Sequence, residues 1–338
     1  MHADQNLMFY SLSTRSLARQ LVGYNDEIVD ASFLRNGSSA GSVDHDTHIA
    51  LATNSSLIRV YNLTSLDTRL LLGHGDVVLA LDRTADRRLL GSGSKDRSVR
   101  IWAPLTGPPG AADYVCVGVC EGHAESVGAI AFSRKLEMEH APRFLFTGSQ
   151  DRTIKMWDVS DVSTTSPNDG TEPVRCKSLT TFIAHDKDIN ALDVSPDDRL
   201  LASGSQDRTV KIFKITHVAS SGKTAARGEL QLLGTCKGHK RGVWTVRFST
   251  AERILATGSG DKTVKLWSMD DFSCLKTFEG HTNSVLRVDF INTGMQLVSS
   301  AADGLVKLWN IKEEECTTTL DNHEDKVRPV CSFGSSGS

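Results

Sequence analysis

The chain repeats one short phrase along most of its length. Six segments place a histidine at the second position: GHGDVV, GHAESV, AHDKDI, GHKRGV, GHTNSV and NHEDKV. The last three intervals between these histidines are 54, 42 and 42 residues. A fixed period of this size is typical of architectures in which each copy forms one structural unit and packs on its neighbours.

Every copy but the last leads to a second phrase that ends in an aromatic residue. These phrases are GSKDRSVRIW, GSQDRTIKMW, GSQDRTVKIF, GSGDKTVKLW and AADGLVKLW, and an aspartate always lies six residues before the aromatic. The distance from histidine to aromatic is 28 residues in four copies and 34 in the fifth, where SRKLEMEHAPR lengthens it. A degenerate copy runs from Gly23-Tyr24 to Tyr61, with Ser55 in the aspartate position, and a half copy places Asp4 six residues before Tyr10.

Within each copy the residues alternate as in β-strands. Segments such as VGAIAF, VWTVRF and VLRVDF have a period of two, and Gly-Ser-x-Asp turns separate them from β-branched runs such as VKLW. Four strands per copy, repeated around a ring, predict the blades of an all-β propeller. Closing the ring removes most exposed sheet edges.

Composition and cysteine content narrow the classes of protein that remain. The net charge of −3 excludes whole-chain attraction to nucleic acid or membrane, although it permits a local basic patch. No apolar run approaches the length of a membrane span, and the N-terminus lacks the apolar region of a secretory signal. Seven sparse cysteines without Cys-x-x-Cys indicate a reducing compartment and argue against a disulfide framework or a zinc ribbon. Cys274 and Cys316 each lie seven residues before a histidine, which we interpret as equivalent strand positions rather than metal ligands.

The spacing of Gly-His, Asp and Trp resembles the WD-repeat (WD-40) family. Only Trp157 is followed by the aspartate that gives the motif its name. The resemblance implies a β-propeller and, in each blade, a buried hydrogen-bonded chain from Asp to His to Ser or Thr to Trp. The residues in these positions are His74, Ser92, Asp96 and Trp102; His123, Thr147, Asp151 and Trp157; His185, Ser203 and Asp207; His239, Thr257, Asp261 and Trp267; and His281, Ser299, Asp303 and Trp309.

An enzyme with a Ser-His-Asp triad is the alternative interpretation of the same residues. A nucleophile needs an exposed position beside an oxyanion hole, whereas five copies at fixed spacing indicate a repeated structural need. The sequence contains no nucleophile elbow, phosphate loop, His-Glu-x-x-His zinc motif or dinucleotide fingerprint. We therefore expect no catalytic residue, no cofactor, no metal and no small-molecule substrate.

The repeats predict one domain. We expect a single seven-bladed propeller over residues 1–333, with six complete blades near 28–72, 77–120, 127–183, 189–236, 243–279 and 285–320. The seventh blade is expected to close incompletely from residues 1–22 and 323–333, lacking one strand, and 334–338 to be a flexible tail. An unpaired strand edge at this closure would be adhesive and locally unstable.

The two rims of such a propeller carry different sequence. By the resemblance, the His loop and the Asp turn lie on one rim, called the top, and the insertions at 36–46, 104–113, 133–143, 160–173 and 217–228 lie on the other. These loops either form a binding face or are surface insertions that the fold tolerates and that bind nothing. On the top rim, four cations follow the turn aspartates and form an arc that suits acidic peptide or phosphate, unless they only fill the turn: Arg97, Arg152, Arg208 and Lys262. Trp244, with Arg241 nearby, is expected either at a partner interface or as a lid over the central channel.

A narrower resemblance indicates a function. The stretches GHGDVVLALD, HDKDINALDVSPDDRLLASGSQDRTVKIF, GHKRGVWTVRFS and FSCLKTFEGHTNSVLRVDF are similar to the second propeller of the U3 small nucleolar RNA-associated WD-repeat family, also called transducin beta-like protein 3. The resemblance implies a scaffold in the UtpB part of the small-subunit processome, in the nucleus and nucleolus. Its partners would be other WD-repeat subunits of UtpB, the U3 snoRNP and pre-rRNA, with direct RNA contact left open and no membrane.

The chain departs from that family in ways that bear on the interpretation. We expect that family's first propeller and helical C-terminal domain to be missing, and the terminal GSSGS to be a cloning remnant or the product of an altered reading frame or splice choice. The alternative function is a substrate receptor of a cullin ubiquitin ligase. That class usually carries Trp-Asp-x-Arg, whereas this chain has Ser160 in the arginine position after Trp157.

Overall fold

The structure is a computed structural model and consists almost entirely of β-strands. It describes residues 7–11, 14, 16–21, 27–35, 46–105, 114–136, 142–162, 172–220, 225–321, 323 and 326–328. A single turn of 3-10 helix, Asn292–Gly294, interrupts the strands in these ranges. Nothing helical in this part of the chain has the length and hydropathy of a membrane-spanning segment.

A short antiparallel pair and six sheets follow one another along the described chain; five of the sheets have four antiparallel strands, and the sheet of the second blade has a fifth, parallel strand. The strands of the pair are β1 (Leu7–Tyr10) and β2 (Leu17–Leu21). The first blade contains β3 (Ile28–Leu34), β4 (His48–Thr53), β5 (Ile58–Asn62) and β6 (Thr68–Leu71). The second blade contains β7 (Val78–Arg83), β8 (Leu90–Ser94), β9 (Ser98–Pro104) and β10 (Tyr114–Glu121).

The third to sixth blades repeat this arrangement. The third contains β11 (Val127–Phe132), β12 (Phe144–Ser149), β13 (Thr153–Asp158) and, after the two-residue β14 (Val174–Arg175), β15 (Lys177–Ile183). The fourth contains β16 (Ile189–Val194), β17 (Leu200–Ser205), β18 (Thr209–Val218) and β19 (Arg227–Lys237). The fifth contains β20 (Val243–Phe248), β21 (Ile254–Ser259), β22 (Val264–Ser268) and β23 (Cys274–Phe278). The sixth contains β24 (Val285–Ile291), β25 (Gln296–Ala301), β26 (Val306–Asn310) and β27 (Glu315–Leu320).

This architecture confirms the prediction of an all-β propeller. In each blade the first strand pairs with the second, the second with the third, and the third with the fourth. The hydrophobic core lies between neighbouring blades: Phe132, in the third blade, packs in one cluster with Leu89 and Val99 of the second. Because the inner strands direct apolar side chains toward the blades on both sides, both faces of each sheet are buried there.

Glycines in the second strand of the blades allow the next blade to approach closely. A Cβ on Gly148 would lie 2.7 Å from Ile189 Cγ2, and one on Gly204 would lie 2.8 Å from Val243 Cγ1. Gly258 stands in the same relation to Val285, at 2.6 Å. Real Cβ atoms do not approach other atoms this closely, so the repeated Gly-Ser pair is explained by packing between blades.

Residues 326–328 connect the sixth blade to the first. The Val327 N–H donates to the Ala301 carbonyl at 3.1 Å, and the Val327 side chain packs in the core of the sixth blade. Lys326 Nζ lies 2.7 Å from a carboxylate oxygen of Glu27, just before β3. On the outer side, Leu7 and Phe9 of β1 pack on the first blade. The incomplete seventh blade stays a prediction, since 1–6, 12–13, 15 and 22, most of 323–333 and the tail at 334–338 lie outside the described residues.

Strand β14 is an element that the repeat did not predict. It pairs in parallel with β10, so that the second blade has a fifth strand at its outer edge. The chain then crosses to the third blade, where β15 pairs with β13. The segment before β15 therefore bridges two blades.

Candidate functional site

A hydrogen-bonded chain of side chains runs through four of the blades. In the third blade, Asp151 Oδ2 lies 2.8 Å from His123 Nδ1, and His123 Nε2 lies 2.6 Å from the Thr147 hydroxyl. The indole of Trp157 donates to the same hydroxyl at 2.8 Å. The structure brings together the corresponding residues of three further blades: His74, Ser92, Asp96 and Trp102; His239, Thr257, Asp261 and Trp267; and His281, Ser299, Asp303 and Trp309.

The direction of each proton follows from which groups can accept. An ionised aspartate only accepts, so Nδ1 of a neutral histidine carries the proton and Nε2 accepts from the hydroxyl. The hydroxyl oxygen then accepts from the indole. The other oxygen of Asp151 accepts from the backbone N–H of Thr153 at 2.9 Å, and the Ala124 N–H donates to Oδ2 at 3.0 Å. Every side-chain polar atom of this hydrogen-bonded network in the third blade thus has a partner, as a buried network requires.

Two sets of pKa shifts follow from this pairing. Burial acts to raise the pKa of Asp96, Asp207 and Asp261, but hydrogen bonds from the histidine and from the Ser or Thr hydroxyl two residues later outweigh it, and the pKa lies well below its usual range. Burial lowers the pKa of His123 and His281 below the ordinary value of 6.5, against the opposing effect of the aspartate. The pair is therefore a carboxylate and a neutral imidazole.

The fourth and first blades depart from this arrangement. His185 lies 2.8 Å from Asp207 and 2.7 Å from the Ser203 hydroxyl, but Phe213 has no donor to complete the chain. The Ser203 hydroxyl lies 3.4 Å from the Lys211 carbonyl, and Ser92 and Thr257 make the equivalent contact in blades with the tryptophan. In the first blade, Ser55 stands in the aspartate position and accepts the N–H of Leu57 at 3.0 Å.

The geometry of the His, Asp and hydroxyl groups fits a role in holding the blade together rather than a role in nucleophilic catalysis. The candidate nucleophiles Ser92, Thr147, Ser203, Thr257 and Ser299 are all 0% exposed. In four blades the hydroxyl oxygen is occupied by an indole N–H, so a substrate carbonyl cannot approach it. Among the described residues, no three His, Cys, Asp or Glu side chains are grouped as a metal site. Cys274 and Cys316 lie opposite Trp267 and Trp309 in their sheets, which are equivalent strand positions.

The four cations of the arc lie at equivalent turns on the top rim. Arg97, Arg152, Arg208 and Lys262 are exposed, and no side chain among the described residues pairs with them. Their φ angles are 69°, 70°, 75° and 74°, in the left-handed region, and in the sixth blade Gly304 takes the place with φ 81°. This conformation favours glycine. A long cationic side chain therefore strains the turn more than glycine would, which argues against the interpretation that the cations only fill the turn.

Trp244 and Arg241 lie beside this arc in the fifth blade. Trp244 is 37% exposed, and its indole rests against Gly260, where a Cβ would lie 3.2 Å from Nε1. It also lines a central cavity of about 250 Å³, together with Asn190, Arg247 and Arg287. Its position is compatible with both predicted roles, interface and lid.

The insertions lie between first and second strands or between third and fourth strands, on the rim opposite the histidines. Arg134 and Lys135, between β11 and β12, are described, and their backbone N–H groups donate to the carboxylate of Asp198 in the fourth blade. Much of the remaining inserted sequence, at 36–45, 106–113, 163–171 and 221–224, lies outside the described residues.

Comparison with known proteins assigns the family. The family model described as "WD domain, G-beta repeat" matches residues 65–103, 114–158, 176–214, 230–268 and 272–310. The chain belongs to the WD-repeat family. Each of these matches ends at or just after the aromatic residue that closes the hydrogen-bonded chain, or at its equivalent in the fourth blade.

Several WD-repeat relatives are similar over most of the chain. It is 46% identical over 249 residues to transducin beta-like protein 3 of Mus musculus, covering 73% of this chain and 27% of that protein. Identity to the Homo sapiens protein of the same name is 44% over 248 residues, or 72% of this chain and 27% of that protein. Identity to U3 small nucleolar RNA-associated protein 13 of Saccharomyces cerevisiae is 38% over 207 residues, or 59% and 23%. These matches confirm the predicted resemblance, and the chain spans about a quarter of the length of these relatives.

Sequence reasoning missed a set of WD-repeat residues that join the blades. Asp30 accepts the backbone N–H of Leu81 in the second blade at 2.9 Å, and Asp82 accepts that of Phe132 in the third at 2.9 Å. An available signal was the aspartate eight residues after His74, His185 and His281, which falls on the inner strand. Arg134 was not singled out either, although it ion-pairs with aspartates of two other blades.

Proposed function

We propose that this WD-repeat chain is a non-catalytic scaffold in ribosome biogenesis. The similarity to transducin beta-like protein 3, at 46% identity over 73% of the chain, carries the proposal. A second relative is named for its association with U3 small nucleolar RNA. The buried hydrogen-bonded chains support a scaffold, because they use the His, Asp and hydroxyl groups within the blades and leave the rims for contact.

The more specific form of the proposal concerns the particle and the compartment. We propose that the chain works in the small-subunit processome, which yields 18S rRNA, and that it resides in the nucleolus. Its partners would be other WD-repeat subunits of UtpB, with the U3 snoRNP and pre-rRNA close by. Because the chain spans about a quarter of its relatives, docking through this part alone is a separate claim that experiment can test.

The top rim is the surface that we assign to this contact. Exposed guanidinium groups bind carboxylate or phosphate in a bidentate manner, and lysine binds them as a point charge. Arg97, Arg152, Arg208 and Lys262 repeat at one turn in four consecutive blades, so an extended acidic chain could contact several at once. Trp244 with Arg241 supplies the amphipathic anchor typical of interface hot spots.

A pull-down from cells tests the proposal. The tagged chain should recover U3 RNA and UtpB propeller proteins, and changing Arg97, Arg152, Arg208 and Lys262 to Glu should abolish that recovery. The matched control reverses four exposed cations at the opposite rim, Arg199, Lys214, Arg253 and Lys312, and should leave recovery unchanged. Failure of the folded chain to recover U3 or UtpB would overturn docking through this part. Recovery of the cullin adaptor instead would overturn the scaffold function.

Binding to purified single-stranded pre-rRNA separates direct from indirect contact. If the arc contacts phosphates, the slope of log affinity against log salt concentration should fall by about 0.7 for each contact removed. Fluorescence anisotropy of labelled RNA, measured at several salt concentrations for the arc variant and the opposite-rim control, gives this slope. An equal slope for both variants would place the RNA elsewhere and leave the arc to a protein partner.

A further inference from the structure

The parallel strand β14 places two cysteines side by side. Val119 of β10 pairs with Arg175 of β14, and the Cys176 N–H donates to the Val119 carbonyl at 2.9 Å. Cys120 and Cys176 are therefore the next pair in the same register. Neighbouring strands lie about 4.8 Å apart, which is within the Cα–Cα range of about 4.4–6.8 Å that a disulfide spans.

The side chains of this pair point to one face. A Cβ on Gly118, two residues before Cys120, would lie 3.5 Å from Cys176 Sγ, so the Cys176 thiol lies on the face of β10 toward which a side chain at position 118 would point. Paired residues of parallel strands share a face, and so do residues two apart in one strand. The two thiols belong to the same hydrophobic cluster, Cys120 in its buried part and Cys176 packed against it, and Cys176 Sγ lies 3.9 Å from the Val174 carbonyl oxygen.

The two sulfurs have different environments. Cys120 is buried, and burial raises the pKa of its thiol well above the usual range. The neighbouring Cys120 thiol lowers the pKa of the half-buried Cys176 thiol despite partial burial. The nearby Cys116 thiol has a pKa raised by burial, and it lies 3.5 Å from the Gly118 carbonyl. Cys176 is thus the sulfur that ionises, with Cys120 as its neutral neighbour.

We propose that Cys120 and Cys176 form a redox-responsive dithiol that closes to a disulfide when the protein meets a hydroperoxide. The Cys176 thiolate attacks the terminal oxygen of the hydroperoxide, the O–O bond breaks, hydroxide (from hydrogen peroxide) or an alkoxide leaves, and Cys176 becomes a sulfenic acid. The Cys120 sulfur then attacks the Cys176 sulfur, the S–O bond breaks, and the Cys120 proton leaves with the departing oxygen as water. The two thiols lose two electrons in total, and the peroxide gains them.

Closure would tie the second blade to the third. β14 leads directly into β15, the outer strand of the third blade, so the disulfide would fasten the start of that strand to β10. Two of the four other described cysteines, Cys274 and Cys316, are exposed and provide internal references. An oxidant reaches those two thiols more easily, but in the dithiol each sulfur lies beside a second sulfur with which it can form a disulfide.

The test treats the reduced, full chain with graded hydrogen peroxide, followed by alkylation and mass spectrometry of a non-reduced digest. We expect a peptide pair joined through Cys120 and Cys176, lighter by two hydrogen atoms, with loss of two alkylatable thiols per chain and recovery by dithiothreitol. In Cys120→Ser, dimedone should trap a sulfenic acid at Cys176. In Cys176→Ser, dimedone should leave Cys120 unlabelled.

Two outcomes would overturn the proposal. One is that Cys120 and Cys176 both stay alkylatable after Cys274 and Cys316 have been oxidised. The other is that Cys120 joins Cys116 rather than Cys176. The decisive measurement uses the unmodified chain, and far-UV circular dichroism of the serine variants shows whether they retain the fold.

Discussion

Asp193 in the fourth blade accepts the backbone N–H of Phe248 in the fifth blade, with 2.7 Å between Oδ2 and N. Its other oxygen lies 2.6 Å from Arg134 Nη2, on a loop of the third blade, and 3.4 Å from Arg247 Nη1 in the fifth. The side chain is buried. One carboxylate therefore joins three blades near the central channel.

Removing this carboxylate should destabilise the ring. Asp193→Ala removes one carboxylate partner of Arg134 and Arg247 and leaves the buried N–H of Phe248 without its acceptor, so we expect the free energy of unfolding to fall by about 3 kcal/mol. Urea titration followed by tryptophan fluorescence measures this change. The control Asp270→Ala removes a 73% exposed carboxylate that pairs with Arg253, and it should change stability by less than about 0.5 kcal/mol. Equal effects in the two variants would contradict the structural role of Asp193.

We expect Thr147 to contribute to stability through its hydroxyl group more than through the volume of its side chain. Thr147→Val keeps the shape but leaves His123 Nε2 and the Trp157 indole without their partner, so we expect a loss of about 1–3 kcal/mol. The matched change is Thr181→Val, since this exposed hydroxyl accepts a hydrogen bond from Lys155 Nζ at 2.9 Å and is in contact with solvent. Denaturant unfolding of both variants compares them, and a near-neutral Thr147→Val would show that the buried chain adds little stability.

Acidification should weaken the fold in two steps. The folded pKa of His123 and His281 lies below 6.5, so the unfolded chain binds more protons once the pH drops past that value, and stability falls. The depressed pKa of Asp96, Asp207 and Asp261 stabilises the fold above their ordinary value of 3.8, and this stabilisation is lost as the pH falls through the depressed values. Unfolding free energies measured from neutrality to about pH 4 test the first step. A rise in stability on acidification below 6.5 would refute it.

The left-handed turn at Arg208 should accept glycine without loss. Relief of an unfavourable φ is worth about 1–2 kcal/mol, and the entropy of glycine in the unfolded chain costs about 0.5–1 kcal/mol. We therefore expect Arg208→Gly to leave stability unchanged or raise it by up to about 1 kcal/mol, and Arg208→Val to lower it. Thermal unfolding of the two variants gives the comparison, and a destabilised Arg208→Gly would mean that the side chain itself supports the turn.

Two glycines of the third blade should respond differently to alanine. A Cβ at Gly148 would lie 2.7 Å from Ile189 Cγ2, so Gly148→Ala should cost about 1–3 kcal/mol by overpacking. At Gly128 the nearest heavy atom would be 3.7 Å away, and Gly128→Ala should be neutral or slightly stabilising. Calorimetry of both variants tests the pair. Similar melting temperatures would show that the blades move apart at little cost.

The repeat carried most of what could be predicted. The positions of His123, Asp151 and Trp157 follow from a spacing that recurs in register, because each blade must build the same local contacts. The bonds between blades were not predictable in this way. Asp82 and Asp193 occupy the same place in their copies, and each accepts an N–H of the next blade, but which N–H lies within reach depends on how the two sheets pack.

The element that no pattern indicated is β14. It follows the insertion at 160–173, which lacks the period of the repeat, and its pairing with β10 depends on how two distant blade edges meet. The proximity of Cys120 and Cys176 arises from that pairing, and their separation of 56 positions in the sequence gave no signal of it.

The glycines that admit a neighbouring blade also determine how the ring can come apart. Each of Gly148, Gly204 and Gly258 covers an apolar residue that belongs to the following blade, so detaching one blade exposes the interior of the next. A linear array of repeats can fray from its ends, because an end repeat has only one neighbour. Here residues 326–328 contact both the sixth blade and the segment just before the first blade. The first and sixth blades therefore have a neighbour on both sides. The propeller should therefore melt as one cooperative unit, with no population in which single blades have peeled away.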